Sequence, residues 1–376
     1  MTRPLGPEEA KYWLLGHSCP FNIVLAFGVE GWRAPDRLAL PVIELDADGL
    51  PRWGAPSADG RTERGTGPWA EVAEALLHAP VGMAGAPAWR LSVVEEAGGT
   101  VVLLALHHAL TDARGGLALV GHLLDGRPLP PLPPSFEELL ADEAWPDPSV
   151  QDEVLGWWSR HMTDRLRSLD LAKLAALLPS PEPACLAVDR LPPAAFDRLQ
   201  ARCRAEGTTL HGALVAALPT GTASKLGHAV DMRRFLPPSL AGEAWLALSH
   251  LETELPDAAP FWERARAAST NVRTALASGA AGAALAELPR TLAGARFVPP
   301  AAPPLTVSNG GRQDLPAGSH GRATWYMALA GVNPGAPVLA ASGSGEALLV
   351  ASVTPASRPP LPLDRLVEKL AAAASA

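Results

Sequence analysis

Cysteine is scarce in this chain. Its 376 residues include only three cysteines, Cys19, Cys185 and Cys203, which lie far apart and form no CxxC pair. An odd number of isolated thiols argues against a disulfide framework, and the lack of paired cysteines argues against a zinc cage. The sequence therefore predicts that the three cysteines are buried thiols.

Long hydrophobic runs and clustered charge are also absent. The longest apolar runs are far too short to cross a membrane, and residues 1–9 lack the apolar stretch of a signal peptide. Only 19% of the residues are charged, the net charge is −8, and the Lys and Arg residues are scattered. A polyanion such as nucleic acid is therefore not expected as a partner. Together these features predict a soluble, cytoplasmic protein with no membrane span.

Apolar residues, in contrast, are plentiful. They make up 48% of a chain that is longer than a typical single domain, so the sequence can form more than one core. Pro179, Pro181 and Pro183 interrupt regular structure near the middle and mark the best candidate linker. We therefore expect an N-terminal subdomain over residues 1–178 and a C-terminal subdomain over residues 184–376.

Apolar periodicity predicts strands and helices in both halves. In the first half we expect strands at 23–29, 41–45, 89–94 and 100–107, helices at 69–77 and 150–178, and a capping box at 135–138. In the second half we expect a strand at 184–191, helices at 193–206, 208–218 and 361–374, and a hairpin formed by 337–341 and 347–354. The helix at 208–218 carries a threonine as its predicted cap.

Residues 101–116 are the most informative stretch. A run of aliphatic residues ends there in His107 and His108, and Asp112 follows four residues after His108. A run without a polar face predicts a strand buried on both sides, and Gly115 and Gly116 precede a helical pattern. The histidines thus lie where a buried strand passes into a loop. A partly desolvated imidazole at such a place can accept a proton near neutral pH.

These residues resemble the HHxxxD motif of an acyltransferase superfamily that includes chloramphenicol acetyltransferase, nonribosomal peptide synthetase condensation domains and polyketide-associated acyltransferases. Three further segments resemble the family in the expected order: residues 5–9 with the strand that follows, VDMRRFL at 230–236 and LTVSNGGR at 305–312. The resemblance spans nearly the whole chain. It implies an α/β (α+β) fold with two chloramphenicol-acetyltransferase-like sandwich subdomains, a pseudo-dimer with an active-site tunnel at their junction.

The resemblance also implies roles for individual residues. It makes His108 the general base and gives His107 a supporting role. Asp112 can either complete a His-Asp dyad or, as the resemblance favours, form a structural ion pair with an arginine of the second half. Arg233 and Arg234 are the candidates for that arginine, and we expect Arg233.

Other polar residues have weaker signatures. Ser308 and Asn309 can donate hydrogen bonds toward the tunnel and stabilise an oxyanion, but Asn-Gly-Gly is also typical of a turn, which we favour. His17 and His211 are expected to be ordinary loop and helix histidines. No metal site is expected, because neighbouring strand histidines diverge and no third histidine follows at helical spacing. No G-x-S-x-G motif of a serine hydrolase occurs.

The leading hypothesis is a stand-alone acyltransferase that needs no cofactor. It would move an acyl group, other than an amino-acyl group, from acyl-CoA or an acyl carrier protein to a hydroxyl or amine of a small molecule, in bacterial secondary or lipid metabolism. An amide-forming condensation enzyme would differ only in its acceptor. A further alternative is an inactive condensation-like module that binds a carrier protein or a small molecule.

Two departures from the family favour the inactive module. Ala113 replaces the glycine that usually follows the motif's aspartate, and residues 32–42 contain Pro35 and Pro41, which leave room for a helix of at most two turns. Relatives usually carry a full helix there. The intact His108 and Asp112 favour the enzyme.

The acyl donor depends on surface charge. Arg160, Arg165 and Arg167 on one predicted helix, and Arg264 and Arg266 on another, are the candidate basic patches for an acidic carrier protein. We expect these arginines to form ordinary solvated helix faces. With a net charge of −8, this favours free acyl-CoA as the donor.

Overall fold

The structure, a computed structural model, contains two six-stranded sheets and one three-stranded sheet with helices packed around them. It describes residues 3–17, 20–35, 38–83, 85–168, 182–219, 225–242, 245–254, 259–293, 305–331, 336–344 and 347–375. The mixed α/β fold with two sheet-rich subdomains, predicted from the sequence, is confirmed.

The described strands are β1 (Arg3–Pro4), β2 (Asn22–Glu30), β3 (Leu40–Leu45), β4 (Pro51–Ser57), β5 (Gly60–Arg64), β6 (Trp89–Glu96), β7 (Gly99–His107), β8 (Ala184–Leu191), β9 (Lys225–Asp231), β10 (Leu248–Glu254), β11 (Thr306–Gln313), β12 (Ala317–Gly318), β13 (Gly321–Ala330), β14 (Val338–Ser344) and β15 (Ala347–Pro355).

The described helices are α1 (Pro7–Leu15), α2 (Trp69–Leu77), α3 (Ala113–Asp125), α4 (Phe136–Leu139), α5 (Pro148–Gln151), α6 (Trp157–Ser168), α7 (Pro193–Ala205), α8 (Leu210–Ala217), α9 (Pro238–Ala241), α10 (Phe261–Ala277), α11 (Ala280–Leu285), α12 (Glu287–Ala293) and α13 (Leu363–Ser375). A π-helical turn at Asp152–Gly156 joins α5 to α6, and 3₁₀ turns lie at Asp142–Ala144 and Met232–Phe235.

The first sheet has the strand order β12-β13-β2-β7-β6-β5. Its central strands β2 and β7 are antiparallel, with Asn22 opposite His107. Nearly every residue of both strands is buried, as their near-continuous apolar sequences predict. Strand β13 pairs with β2, although it lies in the segment 184–376 that the sequence assigned to the C-terminal subdomain. The second half of the chain therefore completes the first sheet.

The second sheet has the strand order β10-β9-β11-β14-β15-β8. Strand β11 runs parallel to both β9 and β14, and the remaining pairs are antiparallel. Helices α7, α8, α10 and α13 contribute to a core against this sheet that includes Phe196, Leu214 and Leu370. The elements whose bounds the sequence predicts in this half lie within a few residues of those bounds, and they are β8, β14, β15, α7, α8 and α13. The sequence predicts no bounds for β10, β13 or α10.

The two large sheets meet through an apolar cluster. It contains Val24 of β2, Met327 of β13, Val338 of β14 and Val353 of β15, and α2 adds Leu77. Two hydrogen bonds strengthen this junction: the Ala184 N–H donates to His78 Nε2 (2.8 Å), and the Leu186 N–H donates to a Glu74 carboxylate oxygen (2.7 Å). The junction is therefore a buried contact between subdomains.

The segment after β2 is short and contains no helix among its described residues. Its described residues, 32–35 and 38–39, are irregular, and the chain then enters β3 at Leu40. Strand β3 belongs to the small sheet of order β1-β4-β3. Two prolines in this short segment disfavour a helix, and its described residues before β3 are irregular.

Three local predictions have separate outcomes. The capping box at Ser135 is wrong: Ser135 is the N-cap residue of α4, but its Oγ is buried without a hydrogen-bond partner among the described residues. The threonine cap is confirmed at Thr209, whose Oγ1 accepts from the Gly212 N–H (3.1 Å). The helix predicted at 150–178 is described as far as Ser168, and the rest of that range lies outside the described residues.

The cysteine prediction is correct for one residue and wrong for another. Cys203 is buried, and burial raises the pKa of its thiol to about 11. Cys185 is exposed because it lies on the edge strand β8, where only alternate side chains face the core. Cys19 is outside the described residues. In the described part of the chain, no helix combines the length and apolarity needed to cross a membrane.

Candidate active site

The candidate site begins where strand β7 ends, at His107. The next residue, His108, leaves the strand, and its N–H donates to the carbonyl of Phe21 (2.8 Å). A turn follows, closed by a hydrogen bond from the Leu110 N–H to the His107 carbonyl (3.0 Å). Because the strand has ended, the two histidine rings have different surroundings.

His107 supports this turn. Its Nδ1 accepts a hydrogen bond from the Ala109 N–H (3.2 Å), so the neutral ring carries its proton on Nε2. The backbone of Gly82 packs tightly against His107, because any larger residue at position 82 would place its Cβ 2.7 Å from the Cβ of His107. Burial, together with the charges of His108 and His17, lowers the pKa of His107 to about 3. His107 is thus neutral at physiological pH.

His108 lies in an aromatic pocket. The residue is only 5% exposed. The Tyr12 ring stacks on the imidazole with ring centroids 4.5 Å apart and planes 5° apart. Phe21 adds a tilted contact at 5.8 Å. The Nδ1 atom of His108 is buried and has no hydrogen-bond partner among the described residues.

Burial sets the charge of His108. Desolvation lowers its pKa, and the carbonyl dipoles of His108 and Thr111 and the Asp112 carboxylate oppose this effect. Lys11 lowers the pKa further through its positive charge. The imidazole is therefore neutral near pH 7, the state in which it can accept a proton.

Asp112 is held by four donors, none of which is His108. Its Oδ1 caps helix α3 by accepting from the N–H groups of Arg114 and Gly115 (both 2.9 Å). Its Oδ2 accepts from Arg233 Nη1 (2.9 Å) and from the Ala247 N–H (2.8 Å). Despite burial, which raises the pKa, the charge of Arg233 and these hydrogen bonds hold the pKa of Asp112 below its usual value.

Arg233 links this carboxylate to the second half of the chain. Of the two arginines considered from the sequence, Arg233 is the one that pairs with Asp112, and both side chains are largely buried, at 10% and 6% exposure. Arg233 also contacts Asp231 (3.2 Å) and the Trp245 carbonyl (3.3 Å). That carbonyl accepts from Thr111 Oγ1 (2.9 Å) and from the Asp112 N–H (3.2 Å) as well. The motif is therefore fastened to the loop before β10.

The glycines after the motif serve this contact. A Cβ at Gly115 would lie 1.8 Å from the Trp245 carbonyl oxygen, and one at Gly116 would lie 2.5 Å from Leu25. Ala113, which replaces the family's glycine, is the first residue of α3, and its carbonyl accepts from the Tyr326 hydroxyl (2.6 Å). No described residue other than glycine has a positive φ. The alanine is therefore accommodated without backbone strain.

Charged groups from both halves surround His108. Lys11 and Glu8, on helix α1, form an ion pair. His250, on strand β10, places its Nδ1 3.9 Å from a Glu8 oxygen. Burial lowers the pKa of His250 well below its usual value, and charges on Lys11 and His108 add to this effect. These residues could not be predicted from the sequence, because neither α1 nor β10 carries a motif that indicates their contact.

Other residues considered from the sequence have different surroundings. The Asn309 side chain accepts from the Gly311 N–H (2.9 Å), and the pairing of β11 with β14 shifts register between Asn309 and Arg312. Ser308 lies in β11 just before this irregularity. Among the described residues, no contact joins Ser308 or Asn309 to His108. Asn309 therefore shapes a local bend, as expected, but this bend is an irregularity within strand β11 and not a turn between two elements.

Two further histidines belong to local networks. His17 contacts the Trp13 carbonyl through Nδ1 (2.9 Å). His211 Nε2 lies 2.8 Å from His228 Nδ1, and His228 Nε2 lies 2.8 Å from Thr253 Oγ1. This second network joins α8, β9 and β10. His211 is thus part of a partly buried chain of polar side chains, which the sequence pattern does not reveal.

The predicted arginine patches are only partly present. Arg160 and Arg266 are exposed and pair with Asp152 (3.4 Å) and Glu206 (2.6 Å). Arg264 is buried, so its prediction as part of a solvated basic face is wrong. Its Nη1 donates to the Leu218 carbonyl (2.9 Å) at the end of α8, where helix carbonyls lack intrahelical partners. The side chains of Arg165 and Arg167 lie outside the described residues.

A cavity of about 350 Å³ lies away from His108. It is lined by residues of β3, by Ser57 and Asp59, and by residues near Met83. None of the residues that contact His108 lines it. The β3 residues that line the cavity follow the irregular residues 32–35 and 38–39.

Comparison with known proteins places the fold. Residues 186–318 match the family described as phthiocerol/phthiodiolone dimycocerosyl transferase C-terminus. Among curated protein sequences, none matches this chain. The structure is similar to polyketide synthase associated protein 5 from Mycobacterium tuberculosis, with 14% identity and a TM-score of 0.64, over 100% of this chain and 98% of that one.

Two further solved structures have the same fold. A mutant starter condensation domain of rhizomide synthetase, in complex with C8-CoA and Leu-SNAC, has 14% identity and a TM-score of 0.64, over 100% of this chain and 95% of that one. Trichothecene 15-O-acetyltransferase from Fusarium sporotrichioides has 12% identity and a TM-score of 0.63, over 99% and 95%. These likenesses show that the chain has the expected condensation-type pseudo-dimer fold.

Proposed function

We propose that this protein is an acyltransferase that moves an acyl group from a thioester to a hydroxyl or amine of a small molecule, with His108 as the general base. The observation that carries this proposal is the neutral, buried imidazole at the end of β7, beside an aspartate whose two oxygens are engaged by other donors. Asp112 is therefore a structural residue, and His108 acts as a single base.

The chemistry requires few groups. His108 accepts the proton of the acceptor's hydroxyl or amine while that oxygen or nitrogen attacks the thioester carbonyl carbon. The tetrahedral intermediate then expels the thiolate, which takes the proton back from the imidazolium. No redox or metal chemistry is needed, so we expect no cofactor beyond the thioester substrate.

Acyl-CoA is the donor that we favour. A condensation domain with the same fold binds C8-CoA. One predicted patch for a carrier protein contains the buried Arg264, and the net charge of −8 opposes long-range attraction to an acidic carrier. A setting in secondary or lipid metabolism is consistent with the families matched by sequence and fold.

The second candidate is an inactive module that binds a carrier protein or small molecule. The closed surroundings of His108, with Tyr12 stacked on its ring, favour this alternative. The substitution at Ala113 does not, because it fits the first turn of α3 without strain. An amide-forming condensation enzyme remains a variant of the first proposal that differs in the acceptor.

The experiment that tests this proposal measures thiol release. The full chain is incubated with a series of acyl-CoA thioesters, hydroxyl and amine acceptors and a thiol reagent. We expect transfer by the wild type and a loss of about 10²- to 10⁴-fold in turnover for His108→Ala, the usual contribution of a general base. Circular dichroism and thermal melting confirm that the variant is folded.

A matched control is His161→Ala, which removes an exposed histidine on α6. Its turnover should equal that of the wild type. Equal rates for wild type and His108→Ala would refute the catalytic role and support the binding module. The same acyl group on a carrier protein identifies the donor, and a carrier preference that disappears with added salt would contradict our choice of acyl-CoA.

A further inference from the structure

The contact between Tyr12 and His108 is the closest ring packing at the site. The two planes are 5° apart and the centroids are separated by 4.5 Å. Tyr12 is 3% exposed and lies on α1, whereas His108 follows β7. Phe21 contacts both rings, at 5.2 Å from Tyr12 and 5.8 Å from His108. The imidazole therefore has a fixed plane before any substrate binds.

The face of an aromatic ring attracts a cation, and the attraction is stronger when water is excluded. A neutral imidazole stacked on Tyr12 gains only ordinary aromatic packing, but the same ring gains an additional electrostatic attraction once it is protonated. The contact is thus stronger in the imidazolium state than in the neutral state.

We propose that Tyr12 is a positioning residue for His108, which fixes the plane of the imidazole and stabilises its protonated form. The catalytic part of this inference rests on the proposed function. The effect of Tyr12 on the pKa of His108 does not, because it can be measured in a protein that has no transfer activity. In the transfer reaction, Tyr12 would stabilise the imidazolium that forms between deprotonation of the acceptor and protonation of the thiolate.

The hydroxyl of Tyr12 is a separate feature. It is buried, and the Glu8 carboxylate lies near it. Burial raises the pKa of Tyr12 well above its usual value, and negative charge on Glu8 and Asp112 adds to this effect. The ring can therefore be tested apart from the hydroxyl, because Tyr12→Phe removes only the latter.

Several charged or titratable groups face His108, and each has to stay in place in the test. They come from α1, from the strand end and its loop, and from β10, and they are Glu8, Lys11, His107, Asp112 and His250. Substitution of Tyr12 keeps all of these residues, although Tyr12→Leu also removes the contact between the Tyr12 ring and the Lys11 ammonium, which lies 5.1 Å from the ring centroid. Tyr12→Phe keeps that contact.

The experiment is an NMR titration of the His108 ring in the full chain, with histidine labelled at Cε1 and the signal assigned by its loss in His108→Gln. Tyr12→Leu keeps an apolar side chain over the imidazole but removes the aromatic face. We expect the pKa of His108 to fall by about one unit in this variant, the size of a desolvated cation–π contact. Tyr12→Phe should titrate like the wild type.

The direction of the shift decides between two roles. If the Tyr12 ring only excludes water, its loss hydrates the imidazole and the pKa rises, which would overturn the proposal, as would an unchanged pKa. Trp13→Leu is the matched control, because Trp13 is a buried aromatic residue on the same helix whose described ring contact is with His17. An equal fall in Trp13→Leu would attribute the effect to general packing of α1 and also overturn the proposal.

Turnover gives a second readout. If the wild type transfers acyl groups, Tyr12→Leu should move the acidic limb of the pH profile of kcat/KM with the NMR pKa, and Tyr12→Phe should restore it. If the wild type shows no transfer while the NMR shift is present, the proposed function fails and the role of Tyr12 in protonation stands.

Discussion

The Asp112–Arg233 pair offers a quantitative test of how the site is held together. Asp112→Ala removes both carboxylate oxygens, so helix α3 loses its cap and Arg233 and the Ala247 N–H lose an acceptor. Asp112→Asn is more selective. The Asn oxygen can keep the two cap bonds, but its amide group then faces two donors, Arg233 Nη1 and the Ala247 N–H.

The structure sets the expected magnitudes. Loss of the cap costs about 1 kcal/mol, and breaking a buried ion pair from one side costs about 3 to 5 kcal/mol. Arg233 retains its contact with Asp231 (3.2 Å), so the lower part of that range applies. We expect the free energy of unfolding to fall by about 4 kcal/mol for Asp112→Ala and by about 2 to 3 kcal/mol for Asp112→Asn.

Chemical denaturation at pH 7 measures these values, and a double-mutant cycle with Arg233→Met isolates the pair. The coupling energy should be about 1 to 3 kcal/mol. Arg114→Ala is the control, because Arg114 contacts Asp231 at an exposed position (3.1 Å, 56% and 36% exposed) and should contribute less than about 1 kcal/mol. If Asp112→Ala costs no more than Arg114→Ala, or if the losses are additive, the structural role of the pair is refuted.

The pH dependence of this contribution has a definite sign. The pKa of Asp112 is lowered in the folded state, so the unfolded chain binds its proton first as the pH falls. The stabilisation is present above the unfolded pKa of about 3.9 and is lost as the pH falls through the folded value. The difference between wild type and Asp112→Asn should therefore shrink below about pH 4.

Two further predictions concern packing and burial. Gly115→Ala should destabilise the protein by about 3 kcal/mol, because the new Cβ would lie 1.8 Å from the Trp245 carbonyl oxygen. Gly121→Ala on the same helix, whose Cβ would have its nearest atom at 3.5 Å, should stabilise the protein by about 0.5 to 1 kcal/mol. Thermal melts measure both effects, and the reverse order of stability would contradict this helix packing. Burial raises the pKa of Glu137 to about 8, so the folded state keeps a proton that the unfolded chain releases above about pH 4.5, and stability should fall as the pH rises from about 5 to 8. Urea unfolding of Glu137→Gln should lack this slope, and an unchanged slope would contradict the assignment.

Some of the structure follows directly from the sequence. Strand β7 and the turn after it are set by local features, since an aliphatic run ends in two histidines and glycines follow at positions that need close backbone approach. The pairing of Asp112 with Arg233 spans 121 residues, and no local pattern predicts it. That expectation came from the family resemblance, which preserves a long-range contact along with its motif.

Other features could not be predicted because they depend on tertiary packing. The spacing at Ser135 is correct for a capping box, but the side chain is buried without a partner among the described residues. The apolar pattern of β8 does not show that this strand lies at a sheet edge, where Cys185 becomes exposed. Arg264 resembles a surface residue in sequence, yet it reaches the carboxyl end of α8.

The surroundings of His108 show most clearly where local reasoning ends. The histidine itself is identified by a motif, but its charge depends on Tyr12 and Lys11 from α1 and on its burial. His250 reaches the same region from β10 in the other half of the chain, within 3.9 Å of Glu8. A motif can thus identify the base, whereas its basicity depends on burial and on contacts with elements outside the motif. Substitutions in α1 or β10 should consequently change the pH dependence of the site even when the motif is intact.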